Sequence, residues 1–249
     1  MSRIKLNYAQ KNCIASAGKL MQQLSMVNPG ARIGVAVSGG VDSLTLLEVL
    51  LHRQRILPFP IELMALNLNP GFDPKSHEHV ASFAKSKGVA VHAELTDHGL
   101  EAHSDRNRKN SACFLCSKRR RTRLFELCRD YGLTHLAFGH NADDLVSTFF
   151  MNLFQGGRVD TLSPCEPFFE GRLKVIRPLL WLEKDVIKRA ARTWQLPVEE
   201  NPCPSAGASN RTRTWQWFLD ECGKDARKKN NVLNAIRRAA LDRTIDLNY

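Results

Sequence analysis

Gly34-Val35-Ala36-Val37-Ser38-Gly39-Gly40-Val41-Asp42-Ser43 reads as a buried strand that runs through a glycine turn into a helix. That order is the local geometry of a phosphate site. Gly39 and Gly40 let the backbone approach an anion closely, and the free amides and positive end of the following helix point at it. A P-loop requires Gly-Lys-Ser/Thr after its spacer, whereas this chain has Gly40-Val41-Asp42, and the dinucleotide pattern G-x-G-x-x-G is absent from the stretch. Asp42 places an acid where a helix start meets phosphates, which makes electrostatic sense if a divalent cation such as magnesium bridges the two. The plainer alternative is a first-turn Asp that only stabilises the helix.

Working outward, apolar runs alternate with amphipathic stretches. Strands are expected over residues 33–37, 61–68, 89–95, 136–138 and 174–177, and helices over 44–53, 77–87, 118–131, 144–154 and 184–194. Before them, Ile14, Ala17, Met21 and Leu24 form the apolar stripe of a helix over 4–26, ended by Asn28-Pro29-Gly30; beyond Cys203 the chain reads as basic helix. Such alternation is the signature of an α/β fold, an open parallel sheet with helices on both faces. Three parts are expected: an N-terminal helical extension (1–30), the sheet domain (31–200) and a basic helical C-terminal segment (201–249). Ligands of open sheets sit outside the carboxyl ends of the strands. There lie Ser38 to Ser43, Asn67 and Asn69, and Gly139-His140-Asn141-Ala142-Asp143-Asp144. Asn67, Gly139 and His140 therefore join the glycine loop as candidates for a nucleotide site, with adenine contact and strand-end packing both open for His140.

The chain has 249 residues and a formal net charge of +11, enough to suggest a polyanionic partner. The cations cluster at Lys118, Arg119, Arg120, Arg121 and Arg123, and again at Arg211 and Arg213. Solvated helix faces account for part of this. Trp217, interleaved with those arginines, is a candidate for stacking on RNA bases. No apolar run approaches the roughly 18 residues of a membrane span and no signal-peptide core is visible, so a cytoplasmic location without a membrane partner is expected. A homodimer is compatible with this reading.

Seven cysteines, an odd number irregularly spaced, argue against a secreted disulfide scaffold. Cys113-Phe114-Leu115-Cys116 is a C-x-x-C whose turn lets two thiolates ligate one metal. The best third ligand is Cys203, framed by Pro202 and Pro204 and so kept out of helix or strand. Cys128 and Cys222 lie on apolar helical stripes, Cys13 beside one, and Cys165 in an expected irregular loop, so all four read as core residues. From spacing alone, an iron–sulfur cluster, a zinc ion and a redox pair all remain open. His77-Glu78-His79 reads as surface, because an i, i+2 pair points to different sides of a helix.

Ser38-Gly39-Gly40-Val41-Asp42-Ser43 resembles the S-G-G-x-D-S loop of the PP-loop ATP pyrophosphatases, which cleave ATP to AMP and pyrophosphate. The resemblance implies Ser38, Gly39, Gly40 and Ser43 as phosphate contacts and Asp42 as the magnesium-linked acid. With the C-x-x-C and its basic helix, then G-H-N-x-D-D, then a Cys-Pro cysteine, residues from about 32 to 217 resemble the tRNA 2-thiocytidine synthetase group. This implies a [4Fe-4S] cluster on Cys113, Cys116 and Cys203. It also implies ATP-dependent adenylation of the C2 oxygen of an anticodon-loop cytidine, and sulfur originating from a cysteine desulfurase. Asp143 and Asp144 would hold magnesium or position a proton, and Lys118, Arg120, Arg121, Arg211 and Arg213 would face tRNA.

The pattern departs from the group in two places. Val41 stands where the loop usually has Lys, and Ser205 and Ala206 stand where many relatives carry further cysteines. Lysidine synthetases, also of the PP-loop group, tolerate an apolar residue at position 41 but lack the C-x-x-C. Two other readings stay open: a PP-loop enzyme with another nucleophile or a small-molecule substrate, and a zinc-stabilised nucleotide- or RNA-binding regulator without turnover.

Overall fold

The computed structural model describes residues 6–246. Asn7 accepts from the Gln10 N–H at 2.9 Å while its own N–H donates to the Gln10 side chain at 2.7 Å, and this reciprocal cap starts α1 (Tyr8–Gln23). The expected helix over 4–26 is therefore shorter at both ends; Ile4 and Lys5 lie outside the described residues. The chain continues through β1 (Arg32–Ala36), α2 (Val41–Ile56), β2 (Glu62–Asn69), α3 (Ser76–Ser86), β3 (Ala90–Leu95), α4 (His98–Ala102) and α5 (Ala112–Asp130). Next come β4 (His135–Ala137), α6 (Ala142–Gly156), β5 (Cys165–Phe168), β6 (Leu173–Ile176), α7 (Lys184–Thr193), α8 (Asn210–Cys222) and α9 (Ala226–Asp246).

The strands form one six-stranded sheet in the order β3-β2-β1-β4-β6-β5. All pairings are parallel except that of β5 with β6. The expected parallel sheet is thus present with one antiparallel edge strand added. β5 escapes a sequence reading because it has four residues and contains Pro167, which an edge strand tolerates. Cys165 accordingly sits buried in a strand rather than in an irregular loop. The hairpin to β6 turns through Phe169 and Glu170 at φ of 54° and 60°, a left-handed conformation uncommon for side chains of this size.

Period-two alternation splits the sheet between two apolar layers. Ile33, Val35, Ala65 and Ala137 face a core shared with α1, α2, α6 and α7. Leu66, Leu68, Leu136 and Val175 face Leu124, Leu127 and Cys128 of α5. Helices at both ends of the chain join the larger core: Cys13 and Leu20 of α1 lie in it with Phe218 and Cys222 of α8 and Ile236 of α9. The expected core roles of Cys13, Cys128 and Cys222 agree with their burial. Among the described residues no helix is long and apolar enough to cross a membrane.

A further difference from expectation concerns α5. Ser111 accepts from the Phe114 N–H at 3.3 Å and caps the helix, which starts at Ala112 instead of Lys118. Cys113 and Cys116 therefore stand one helical turn apart on the first turn of α5. Three residues on a helix are neighbours, so the two thiols still share a side.

Leu136, fully buried in the central strand β4, and Val159, 78 % exposed, provide a control pair for this packing. Leu136→Ala is expected to destabilise the protein by about 2–5 kcal/mol in urea unfolding, and Val159→Ala by less than about 0.5 kcal/mol.

Candidate nucleotide and cysteine site

The chain leaves β1 toward β2 and β3 on one side and returns to β4 on the other, so the strand order reverses between β1 and β4. In open sheets the crevice at such a reversal binds ligands. Two loops flank it: Ser38 to Ser43 after β1, and Gly139 to Asp144 after β4. Gly139 is held so close that a Cβ there would lie 3.0 Å from the carbonyl carbon and oxygen of Asp42 and 3.1 Å from the Ser43 nitrogen. Those are backbone atoms, so a side chain at this position would have to push the two loops apart by a few tenths of an ångström.

The first loop is built around Ser43. Its hydroxyl donates to the Gly40 carbonyl at 2.9 Å and accepts from the Ser38 N–H at 3.0 Å, closing the turn. Gly39 takes a φ of 83°, and no side chain caps α2 at Gly40. The first-turn amides of α2 thus face the crevice without a side-chain acceptor, as an anion cradle needs. Asn67, buried at the end of β2, donates to the Val37 carbonyl at 2.7 Å and keeps its Oδ1 buried without a partner. That leaves an acceptor for a ligand N–H beside the loop.

Three carboxyl groups line the crevice. Asn141 caps α6 by accepting from the Asp143 and Asp144 N–H groups at 2.9 and 3.2 Å, and its side-chain amide donates to Asp42 Oδ1 at 3.0 Å. One asparagine therefore couples both loops. Lys184 Nζ, from the start of α7, lies 3.1 Å from Asp42 Oδ2, and Arg211 of α8 pairs with Asp144 at 3.2 Å. Burial pushes the Asp42 carboxyl up, with Lys184 and the Asn141 amide pulling it back. Burial raises Asp143 to about 6, with the Lys184 N–H, donating at 3.3 Å, opposing. Asp42 and Asp144 are met by Lys184 and Arg211, while Lys229 acts on Asp143 from further away. Among the described residues no three His, Cys, Asp or Glu side chains are gathered around a single metal position. A magnesium ion needs only one or two carboxylates when phosphates supply its other ligands, so these acids fit a nucleotide-bound ion.

Lys184 was not singled out by the sequence, and it brings a cation to Asp42 although position 41 carries none. Val41 packs against the larger core, while the cation beside Asp42 comes from α7, 142 positions further along the chain. Glu199 also went unnoticed: its N–H donates to the Gly39 carbonyl at 3.3 Å, and His79 lies 3.8 Å from its carboxylate. His77 is half-buried with Nδ1 3.2 Å from the Asn69 amide, so only His79 of the pair is at the surface.

Cys113 is exposed, Cys116 and Cys203 are half-buried, and all are free thiols. Burial raises the Cys116 thiol; Arg120 opposes this, and the nearby Cys203 and Cys113 reinforce it. Thiolates on one tetrahedral ion must stand about 3.8 Å apart for metal–sulfur bonds of 2.3 Å, whereas a cluster spreads its ligands over several irons. Cys113, Cys116 and Cys203 are the soft donors that such a cluster takes, and they lie near enough to act on one another electrostatically. His103, at the end of α4, adds a polar neighbour that the sequence did not flag. Its Nδ1–H donates to the Gly99 carbonyl at 2.9 Å, leaving Nε2 2.9 Å from Ser205 Oγ and 4.0 Å from Cys203 Sγ.

The basic residues divide. Lys118, Arg121, Arg211 and Arg213 are exposed. Arg120 turns inward beside Cys116, and its Nε is buried without a partner. Arg213 is hydrogen-bonded to Asn210 on its own helix. Trp217 packs edge-on against Phe150 and Phe154, with ring centres 5.0 and 4.9 Å away. Trp217 still keeps 39 % of its surface exposed. His140 lies beside Phe138, and burial followed by Arg177, Arg211, Arg121 and Arg120 holds its imidazole neutral.

A glycine-turn anion cradle opposite a capped acidic helix, at the reversal of a parallel sheet, defines a nucleotide enzyme of the pyrophosphatase type. Residues 10–217 match the PP-loop domain family. A tRNA-cytidine(32) 2-sulfurtransferase of Geobacter sulfurreducens is 32 % identical over 232 residues, covering 92 % of this chain and 90 % of the relative. Another of that name from Bordetella pertussis is 30 % identical over 98 % of this chain and 77 % of its own length. The U34-tRNA thiolase NcsA from Methanococcus maripaludis, solved with its [4Fe-4S] cluster, shares the fold at a TM-score of 0.75 and 20 % identity, covering 94 % of this chain and 80 % of that one. An NH3-dependent NAD synthetase from Campylobacter jejuni shares it more distantly, at 0.50 and 14 % identity over 94 % and 95 % of the two chains. The chain belongs to the PP-loop domain family and, within it, to the tRNA-cytidine(32) 2-sulfurtransferase family.

A raised carboxyl pKa has a defined consequence for stability. An unfolded Asp ionises near about 3.9, whereas Asp143 in the folded protein resists ionisation up to about 6. Folding stability supplied by the neutral form is complete below the unfolded value and is lost as pH rises through the folded one. In magnesium-free urea titrations, Asp143→Asn is expected to match the wild type at low pH and to become increasingly more stable than it up to about pH 6, then stay so.

Proposed function

We propose that the chain is an ATP-dependent tRNA sulfurtransferase that replaces the C2 oxygen of an anticodon-loop cytidine with sulfur. The observation that carries the reading is the placement of three free thiols within electrostatic reach of one another in a fold whose crevice is shaped for ATP phosphates. An amide-like oxygen is a poor leaving group until joined to phosphate. In the first step the C2 oxygen attacks the α-phosphorus of ATP; the bond to pyrophosphate breaks, and an adenylated base forms. In the second, sulfur at the sulfide level attacks C2, the C2–O bond breaks, and AMP departs carrying the oxygen.

The α2 amides, with Ser38 and Ser43, hold the phosphates, and Lys184 offsets charge on the departing pyrophosphate. Asp42, Asp143 and Asp144 hold magnesium, which neutralises the phosphates when bound. Cys113, Cys116 and Cys203 would hold the [4Fe-4S] cluster, which when bound would supply iron chemistry for carrying sulfide. A cysteine desulfurase is the sulfur source, the enzyme works in the cytoplasm, and a homodimer is compatible with this scheme.

Nucleoside, metal and variant analyses test the proposal. Nucleoside analysis of tRNA from a deletion strain should lose 2-thiocytidine, and its persistence with no redundant enzyme present would refute the substrate. Anaerobic protein should carry iron and sulfide; stoichiometric zinc without iron would instead support the regulator reading. Asp42→Ala should abolish ATP turnover and keep the iron, while Cys203→Ala should lose iron and thiolation. Lys184→Ala should lower the rate of pyrophosphate release by about 10²–10³-fold.

A further inference from the structure

Between α5 and the carboxyl ends of β4 and β6 lies a cavity of about 320 Å³ that the sequence did not reveal. Phe138, Phe125, Phe168 and Leu124 supply its apolar wall, and Arg120, Arg121, Arg177 and Arg211 its cations. Glu166 is the carboxylate in the lining, and it is already paired to Arg177 at 3.5 Å. His140 adds no charge, being held neutral by its surroundings. The lining is therefore strongly positive and short of acceptors.

The shortage is visible atom by atom. Arg177 is buried; its Nη1 donates to the Ser163 carbonyl at 2.5 Å, yet its Nε has no partner. Arg120 Nε and His140 Nδ1 are buried without partners as well. Burial opposes the charge of both Arg120 and Arg177. Buried donors left unmet carry a desolvation penalty that a ligand with acceptor atoms removes. The volume is near the lower end of the ~300–1,000 Å³ of small-molecule sites, so it suits one base rather than two.

Position decides what that ligand is. Arg120 lies within electrostatic reach of Cys116 on the cysteine side, and Arg211 is paired with Asp144 on the phosphate side. A base whose C2 must meet both activated phosphate and sulfur has to sit between them. Enzymes that modify a base bring it out of its stack into such a pocket, read by aromatic faces and hydrogen bonds.

Resting on the function proposed above, we propose that this cavity receives a single pyrimidine nucleotide extruded from the anticodon loop. Its base lies against Phe138 and Phe125, its acceptor atoms meet the free N–H groups of Arg120 and Arg177, and its phosphate rests on the exposed Arg121 and Arg211. Arg120 and Arg177 are thereby residues that position the base, distinct from the outer cations that hold the RNA backbone.

The test uses the anaerobic holoprotein and RNA hairpins carrying 5-bromocytidine at one anticodon-loop position at a time. Photocrosslinking from a single position to peptides bearing Phe125, Phe138 or Phe168 is the expected result. Crosslinks that fall only outside the cavity, or from every position alike, overturn the proposal. A second arm fills the mouth from its exposed rim with Ser117→Trp, keeping the cysteines. Thiolation should fall by about 100-fold, with hairpin affinity within a few-fold of wild type and iron content unchanged; full thiolation by this variant would also overturn it. A wild type that crosslinks from one position but thiolates nothing would count against the sulfurtransferase reading and for the pocket.

Discussion

The crevice exists because the chain after β4 comes into backbone contact with the first turn of α2. A Cβ at Gly139 would lie 3.0 Å from the Asp42 backbone and 3.1 Å from the Ser43 nitrogen, so a larger residue would press the two loops apart. Around that contact the two loops are sewn together by Asn141, which caps one helix with its oxygen and holds Asp42 with its amide. The acidic start of α6 and the anion cradle of α2 therefore keep a common geometry. Phosphates bound by one are within the field of the other.

Charge is distributed around this contact in a way that the linear motif does not show. The loop has an apolar residue at position 41, yet Asp42 has its cation from α7. A compact ammonium delivered from a separate element balances the acid as well as one carried by the loop, because the interaction depends on distance and local dielectric rather than on chain connectivity. Arg211 serves Asp144 in the same way from α8, a helix that Phe218 and Cys222 anchor in the larger core.

Much of the sheet was legible. Strand and helix alternate with clear hydrophobic period, and five of the six strands follow from it. β5 and α4 did not, since a four-residue strand with an internal proline and a five-residue helix carry too little pattern. The start of α5 was misplaced because Ser111 is a weak cap signal amid a polar stretch. Arg120 read as one of several cations facing tRNA, because a run of basic residues gives no sign of which member the helix turns inward.

By itself the sequence determined the class of the protein, through residues whose chemistry is local. The glycine turn and its acid need only their own backbone, and the C-x-x-C needs only one helical turn. Tertiary structure alone decided which distant groups complete them: Lys184 at Asp42, His103 at Cys203, and Arg177, Phe138 and Arg120 around one cavity. Those pairings are set by strand order and helix packing. Residues brought within a few ångströms by the fold leave no spacing in the chain from which their meeting could be read.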